Sequence, residues 1–540
     1  MAKQQLMGGA LATSWLLTLS PVAAQSPSDA EKIERLQRQA KQLQKQLHQQ
    51  SDLMQKQIRA LQEEIAQTRK KSERKEAGQA RTVEGDQPDS ATHARETFTA
   101  ATYTAEPAAR LERKLPKWGD EEEFRAAGPE TTATSEIGRV QFPDGRPTIT
   151  SVDGRMSLAL GTFVDFDVGG YFQNRHEGVF EPPGARELNN GENLRRGRIY
   201  VVGTYGDWTV RITPEFGGSP DGSPSLYEAN LNYTINPITF TIGYFKPYDT
   251  LAQSQFPGNA LFMEEPSIAA IAGDVADGIQ RASAGLKAST DDYFAAAYLT
   301  GATYGSQDPV LLNRQQTGST LRLATRPFRG EDWNLHIGFS GSKVFNFNKS
   351  DFQPGGTVEG IRLSDQPELR IDFHRLIDTG FIPAKTADTW GFELAANWRN
   401  FLIEGEYSRI DVNPLLGTTL SFDGWYVEGS WVMTGESRPY LASSATYGRP
   451  TPAHPFNLSP DGGRGAWELA GRYSVTDLNS GPVFGGRQEV TSAALSWYPN
   501  AHVRFILQGS HVDVDRLDPT GKIQVGQSFW DLALRSQIAY

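Results

Sequence analysis

The chain has 540 residues, a formal net charge of −11 and no cysteine. That length allows several domains. The absent thiols exclude disulfides and thiolate metal sites, and the negative charge argues against a nucleic-acid partner.

Residues 1–24 read as a secretory signal peptide. Lys3 supplies a positive start, Leu6 to Leu19 an apolar stretch, and Val22-Ala23-Ala24 the small residues of a cleavage site. An uncleaved anchor is the alternative, but Gly8, Gly9, Ser14 and Pro21 weaken it as a spanning helix. No later segment approaches 18 continuous apolar residues, so a bundle of membrane helices is excluded. A mature chain that spans a membrane must then do so as a closed barrel, because lipid cannot satisfy open backbone groups.

Residues 25–76 are expected to form an α-helical coiled coil. Ile33, Leu36, Ala40, Leu43 and Leu47 step by three and four, and Met54, Ile58, Leu61 and Ile65 continue after one slip of phase. A lone helix with so narrow an apolar stripe is unstable, which implies helical partners. A solvated single helix or a disordered segment is the alternative. Residues 77–149, rich in Ala, Thr, Pro, Gly and charge, read as a flexible linker. The run Trp118 to Phe124 inside it has no assigned role.

Over residues 150–540 the period becomes two. Trp390, Phe392, Leu394, Ala396 and Trp398 alternate with Gly391, Glu393, Ala395 and Asn397; Phe401, Ile403 and Tyr407 alternate with Leu402, Glu404, Glu406 and Ser408. A soluble sandwich alternates too. Three features favour a membrane barrel: Trp and Tyr near the ends of the apolar faces, segments long enough to cross a bilayer when tilted, and connections that alternate between short and long. Short turns are expected at 206–207, 236–237, 291–292, 400 and 499–500. Long loops are expected at 173–193, 247–279, 301–318, 343–388, 410–421, 476–488 and 513–523. A raw count gives 17 strands. Placing 366–376 within the outer loop 343–388 leaves 16, with both termini on the periplasmic side. The link 435–464 is then long on the short-turn side, an irregularity.

Parity assigns the faces. With Ile199, Val201 and Tyr205 towards lipid, Arg196 and Arg198 point inward; with Trp208, Val210 and Ile212 outward, Arg211 points inward. The same logic places Arg281, Lys287, Arg322, Arg326, Arg472, Arg504 and Arg535 inside, since charge on the lipid face costs roughly 2–4 kcal/mol at the midplane. Inward acids include Glu215, Glu228, Glu393, Glu404, Glu406, Glu428, Glu468 and Asp531. The lumen is therefore mixed in sign, and many of these groups are expected to pair across neighbouring strands. The expected pore-lining set is Arg196, Arg198, Arg211, Lys246, Arg281, Lys287, Arg322, Arg472 and Arg504. Loop 247–279 carries Phe256, Leu261, Phe262, Met263, Ile268 and Ile271, too apolar for a solvated loop. It is expected either to fold into the lumen or to pack on a neighbouring subunit.

Gly243-Tyr-Phe-Lys246-Pro247-Tyr-Asp-Thr-Leu251, Phe262-Met-Glu264, Asp423 to Trp431, Thr434 to Tyr440, Gly465 to Tyr473 and Ser496 to Asn500 together resemble the phosphate-selective porin O/P family. The resemblance implies a 16-stranded trimeric outer-membrane porin whose phosphate-selective members bind anions with pore-lining arginines and lysines. It also implies that the closing strand, ending at Tyr540, is the signal for barrel assembly. The sequence departs from the family pattern where Glu265-Pro266 follows the Met-Glu pair and no arginine appears before Arg281.

The expected fold is all-β: a 16-stranded antiparallel transmembrane β-barrel preceded by an α-helical coiled-coil segment. The expected place is the bacterial outer membrane, with the coil in the periplasm. The expected function is passive diffusion of small hydrophilic solutes and ions, with anions or phosphate favoured. The competing expectation is a structural protein whose coil tethers the barrel to peptidoglycan. An enzyme is disfavoured: there is no Gly-x-Ser-x-Gly elbow and no His-Glu-x-x-His motif, and the 8 histidines are scattered. No cofactor or metal is expected. The expected partners are two further copies in a homotrimer, outer-membrane lipid and small solutes.

Overall fold

The computed structural model describes residues 133–134 and 138–540, apart from 174, 177–178, 181–184, 219–222, 277–279, 302–315, 348, 351–357 and 460–461. The signal segment, the coiled coil, residues 118–124 and the tethering role built on them lie outside the described residues.

Sixteen antiparallel strands close into one barrel. The first four are β1 (Met156–Gln173), β2 (Gly191–Tyr205), β3 (Trp208–Glu215) and β4 (Ser225–Ile235). Next come β5 (Ile238–Phe245), β6 (Arg281–Ser289), β7 (Tyr293–Thr300) and β8 (Thr317–Arg329). β9 (Trp333–Asn346), β10 (Ile377–Trp398), β11 (Phe401–Pro414) and β12 (Leu420–Val432) follow. β13 (Ala466–Ser480), β14 (Val483–Tyr498), β15 (Val503–Asp515) and β16 (Ser528–Ala539) complete the wall. Each pairs with its neighbour in sequence, and β16 returns to β1 from Phe529↔Gln173 to Ala539↔Phe163. Closure leaves no barrel strand with an open edge, which is what lipid demands.

Period two explains the two faces. Ile212, Phe240, Leu323, Ile337, Leu394, Ile403, Leu469 and Leu532 all project outward and are exposed, while Arg322, Glu393, Glu468 and Arg504 project inward and are buried. Aromatic rings line the short-turn rim. Phe401 stacks between Trp398 and Trp431 at 6.0 and 6.1 Å, and Trp497 stacks between Trp467 and Phe505 at 5.7 and 5.6 Å. Such a girdle belongs at the bilayer interface, and short turns belong on the periplasmic side.

Segment 366–376 lies, as expected, within an outer connection. Above the barrel, Val358–Asp365 pairs with the extension of β10, joining Asp365 to Ile377. Two loop expectations need correction. The long loop 476–488 is a two-residue turn at Gly481-Pro482, because β13 and β14 keep pairing up to Ser480↔Val483. Loop 410–421 shrinks to 415–419 for the same reason. The sheet also begins before residue 150. Gly138–Gln141 pairs with Thr148–Ser151, which adds to the lower part of β1 from Thr148↔Ala159 to Thr150↔Ser157, where β16 has ended.

The apolar core lies inside the barrel. Leu261, Phe262, Met263, Ile268 and Ile271 from the connection 246–280 pack there with Leu363, Leu369 and Leu376 from the outer connection 347–376. No described helix is long and apolar enough to cross a membrane.

Candidate permeation pathway

Connection 246–280 leaves β5, folds into the lumen and forms two helices, α1 (Leu251–Ser254) and α2 (Ser267–Ala276). Of the two expected placements for its apolar residues, the structure has the first. Within β5, Gly243 has no room for a side chain: its φ is 140°, and a Cβ there would meet the Ala229 carbonyl oxygen.

The connection is tied to the far wall through its backbone. Glu406 of β11 accepts from the Leu251 and Ala252 amides at 2.5 and 3.0 Å. Arg504 of β15 donates to the Ala260 and Leu261 carbonyls at 2.6 and 3.0 Å, and Gln508 accepts from the Met263 amide at 2.9 Å. Arg472 of β13 donates to the Glu264 carbonyl at 2.9 Å. Glu368 reaches in from the outer connection to accept from the Ser267 amide at 3.3 Å and from Arg472 at 2.5 Å. It does so from a left-handed backbone, φ 63°, uncommon for a residue with a side chain. Each clamp satisfies a buried polar group that would otherwise cost about 1–3 kcal/mol.

Glu264 is the most heavily paired carboxylate of this connection. Its oxygens lie 2.9 Å from Arg195, 3.3 Å from Arg196, 2.7 Å from Arg535 and 3.6 Å from Arg370. Arg196 also meets Asp165 at 2.8 Å and Arg535 meets Asp167 at 2.7 Å, both on β1. Burial alone would raise the Glu264 carboxyl, but Arg195, Arg196, Arg535 and Arg370 hold it well below the usual carboxylate range.

A second inward segment comes from the periplasmic side. The link 433–465, irregular in the sequence reading, folds up against the lumen wall. Arg438 pairs with Glu468 at 2.6 Å and donates to the Asn259 carbonyl at 2.6 Å, so this link and connection 246–280 touch. Gln255 donates to the Tyr447 carbonyl at 3.0 Å, a second joint between them. Arg322 pairs with Glu393 at 2.9 Å and donates to the Ser444 and Ala445 carbonyls at 2.5 and 2.9 Å. Lys287 donates to the Ser443 carbonyl and the Tyr248 hydroxyl, both at 2.9 Å.

With both segments drawn towards the far side, open space remains mostly along β2–β7, reaching Glu428 and Arg472 of the far wall at its outer end. It comprises a cavity of about 290 Å³ towards the outer mouth and one of about 990 Å³ towards the short-turn end. Tyr227, Lys246, Gln255 and Pro257 border both. Of the nine residues expected to line a pore, Arg196, Arg198 and Arg472 border the smaller cavity, Arg211 and Lys287 the larger, and Lys246 both. Arg281, Arg322 and Arg504 border neither. Arg281 donates to the Asp274 carbonyl at 2.9 Å, and the other two hold the inward segments. Arg198 pairs with Glu215 at 2.6 Å and lies 3.6 Å from the Tyr227 ring centroid.

The sequence reading missed Arg195, Arg370 and Arg438, and Arg146, which borders the larger cavity. Arg195 sits in a bulge, where pairing skips from Asp165↔Arg196 to Phe166↔Leu194, so that parity reverses and Leu194 faces out. Arg370 and Arg438 lie on connections, which have no period to read.

A closed barrel narrowed from within, with open space along one wall, defines the class of outer-membrane channels. This chain belongs to the phosphate-selective porin O and P family, whose pattern matches residues 166–527. A Caulobacter vibrioides protein described as uncharacterized is 26% identical over 390 residues, 69% of this chain and 72% of its own length. Porin O of Pseudomonas aeruginosa is 23% identical over 393 residues, 67% of this chain and 86% of its own. Among solved structures, the anion-selective porin of Comamonas acidovorans aligns with 71% of this chain and 100% of its own, at 12% identity and a TM-score of 0.43. The protein is thus an outer-membrane porin, and family and fold point to a channel rather than an enzyme.

Proposed function

We propose that this porin is a passive diffusion channel for small hydrophilic solutes and that it favours anions. The observation that carries this reading is Lys246. It stands where the two cavities meet, and no carboxylate among the described residues lies within ion-pair distance of it. Arg198 and Arg211 border the path on either side, one in each cavity. A cation that borders a water-filled path with low-dielectric walls raises the local concentration of anions there. Reversal potentials in a potassium chloride gradient across a planar bilayer test this: chloride is expected to outrun potassium. Potassium preference overturns the reading.

The same proposal has the barrel working as a homotrimer, because the heptad stripe of residues 25–76 needs helical partners. Chemical cross-linking of the full chain in outer-membrane vesicles should give a threefold ladder. A product that stops at one copy overturns it.

A further inference from the structure

The larger cavity is not uniformly charged, and its two sides differ in chemistry. The wall contributes a ladder of amides and hydroxyls. Asn230 donates to Glu228 at 3.1 Å, Asn232 to Asn230 at 2.7 Å, and Thr241 to Asn232 at 2.7 Å. The inward connection contributes rings. Tyr248 and Phe256 both border the cavity and are half-buried. Each is fixed from behind: Tyr248 sits edge-on to Phe294 at 5.2 Å, and Phe256 packs on Phe163 at 4.7 Å. Cation and ring are presented together, since the Lys287 amine lies 4.6 Å from the Tyr248 ring centroid while donating to its hydroxyl.

A chloride or phosphate ion uses only the cations of such a slot. A solute with a flat ring and a carboxylate uses every part. Its ring packs edge-on or offset against Tyr248 and Phe256. Its carboxylate takes charge-assisted bonds from the lysines. Any ring hydroxyl pairs with the Asn–Thr ladder. The cavity, about 990 Å³, is ample for one such molecule and its water. We infer that the preferred solutes of this porin are ring-bearing organic carboxylates, and that Tyr248 and Phe256 set the preference. The inference rests on the anion-channel reading and narrows it to a substrate class.

The test uses the purified full-length porin in planar bilayers, with chloride current read as 4-hydroxybenzoate or acetate is added. Hydroxybenzoate should halve the current at a concentration roughly three- to tenfold below acetate, the scale of one or two ring contacts. Tyr248→Leu combined with Phe256→Leu should raise the hydroxybenzoate value to that of acetate. Tyr248→Phe, which keeps the ring, should preserve the difference. Equal half-effects of the two acids on the natural protein overturn the inference. The reversal potential in the same bilayer separates the two failures: potassium preference overturns the anion reading itself, whereas chloride preference with equal half-effects overturns only the ring preference.

Discussion

Glu264 and Lys246 belong to the same inward connection, yet they carry opposite duties. Glu264 is buried against four guanidiniums, so its loss takes from that cluster the one carboxylate shared by all four. Glu264→Gln should destabilise the folded barrel by about 3–5 kcal/mol, the usual penalty for breaking a buried ion pair, seen as a lower denaturant midpoint. Its carboxyl is depressed in the fold, so its contribution is fully present above the ordinary carboxylate range, near about 4.3. It is lost only as pH falls through the depressed folded value. Lys246 faces open space instead. Lys246→Glu should leave stability within about 0.5 kcal/mol, as surface changes do, and move the reversal potential towards potassium. Parity made Arg198 and Arg211 legible, because a strand that buries Ile212 to lipid must turn Arg211 inward. It could not show that Arg322 and Arg504 meet backbone carbonyls rather than solute. Facing is a property of the strand, but what a side chain meets is a property of connections that carry no period.

At the scale of elements, the two inward segments were not equally visible. Connection 246–280 announced itself through Leu261, Phe262, Met263, Ile268 and Ile271, which no solvated loop would carry. The periplasmic link 433–465 holds itself with Arg438, with Tyr440, whose hydroxyl meets His336 at 3.0 Å, and with Tyr447, whose hydroxyl donates to Asn334 at 2.6 Å, polar or amphipathic groups that read as ordinary surface. Only its length on the wrong side of the barrel marked it. Its clamps to Asn259 and Gln255 make it a prop for connection 246–280. Replacing 436–462 by a short turn should raise unit conductance by about twofold or more, since pore diameter and lining limit conduction. Single-channel recordings check this, and an unchanged conductance would show that the link stands clear of the path. Gly481-Pro482 illustrates the opposite error, in which residues that resemble a long loop make a turn of only two residues.

The whole molecule was the most legible scale. Alternating connection lengths and period two specify sixteen strands because lipid outside and a closed ladder leave few other arrangements. The same constraint sets a test of depth. Leu394 is exposed on the lipid face, four residues from the rim ring of Trp398. Leu394→Arg should cost about 2–4 kcal/mol when unfolding is followed from a bilayer. Cavity shape was not legible at this scale, because it depends on which wall the inward segments choose.

The position of Glu264 has one more consequence, for biogenesis. Its partner Arg535 belongs to the last strand, and the aspartates that share Arg196 and Arg535 belong to the first. The carboxylate of an outer loop therefore staples the seam at which the barrel shuts. While a nascent chain is still open in the membrane, Glu264 lacks Arg535, and Arg535 in turn lacks Asp167. Closing the seam therefore adds Arg535 to the partners that Glu264 has on β2, and ties the constriction to both edges of the closure.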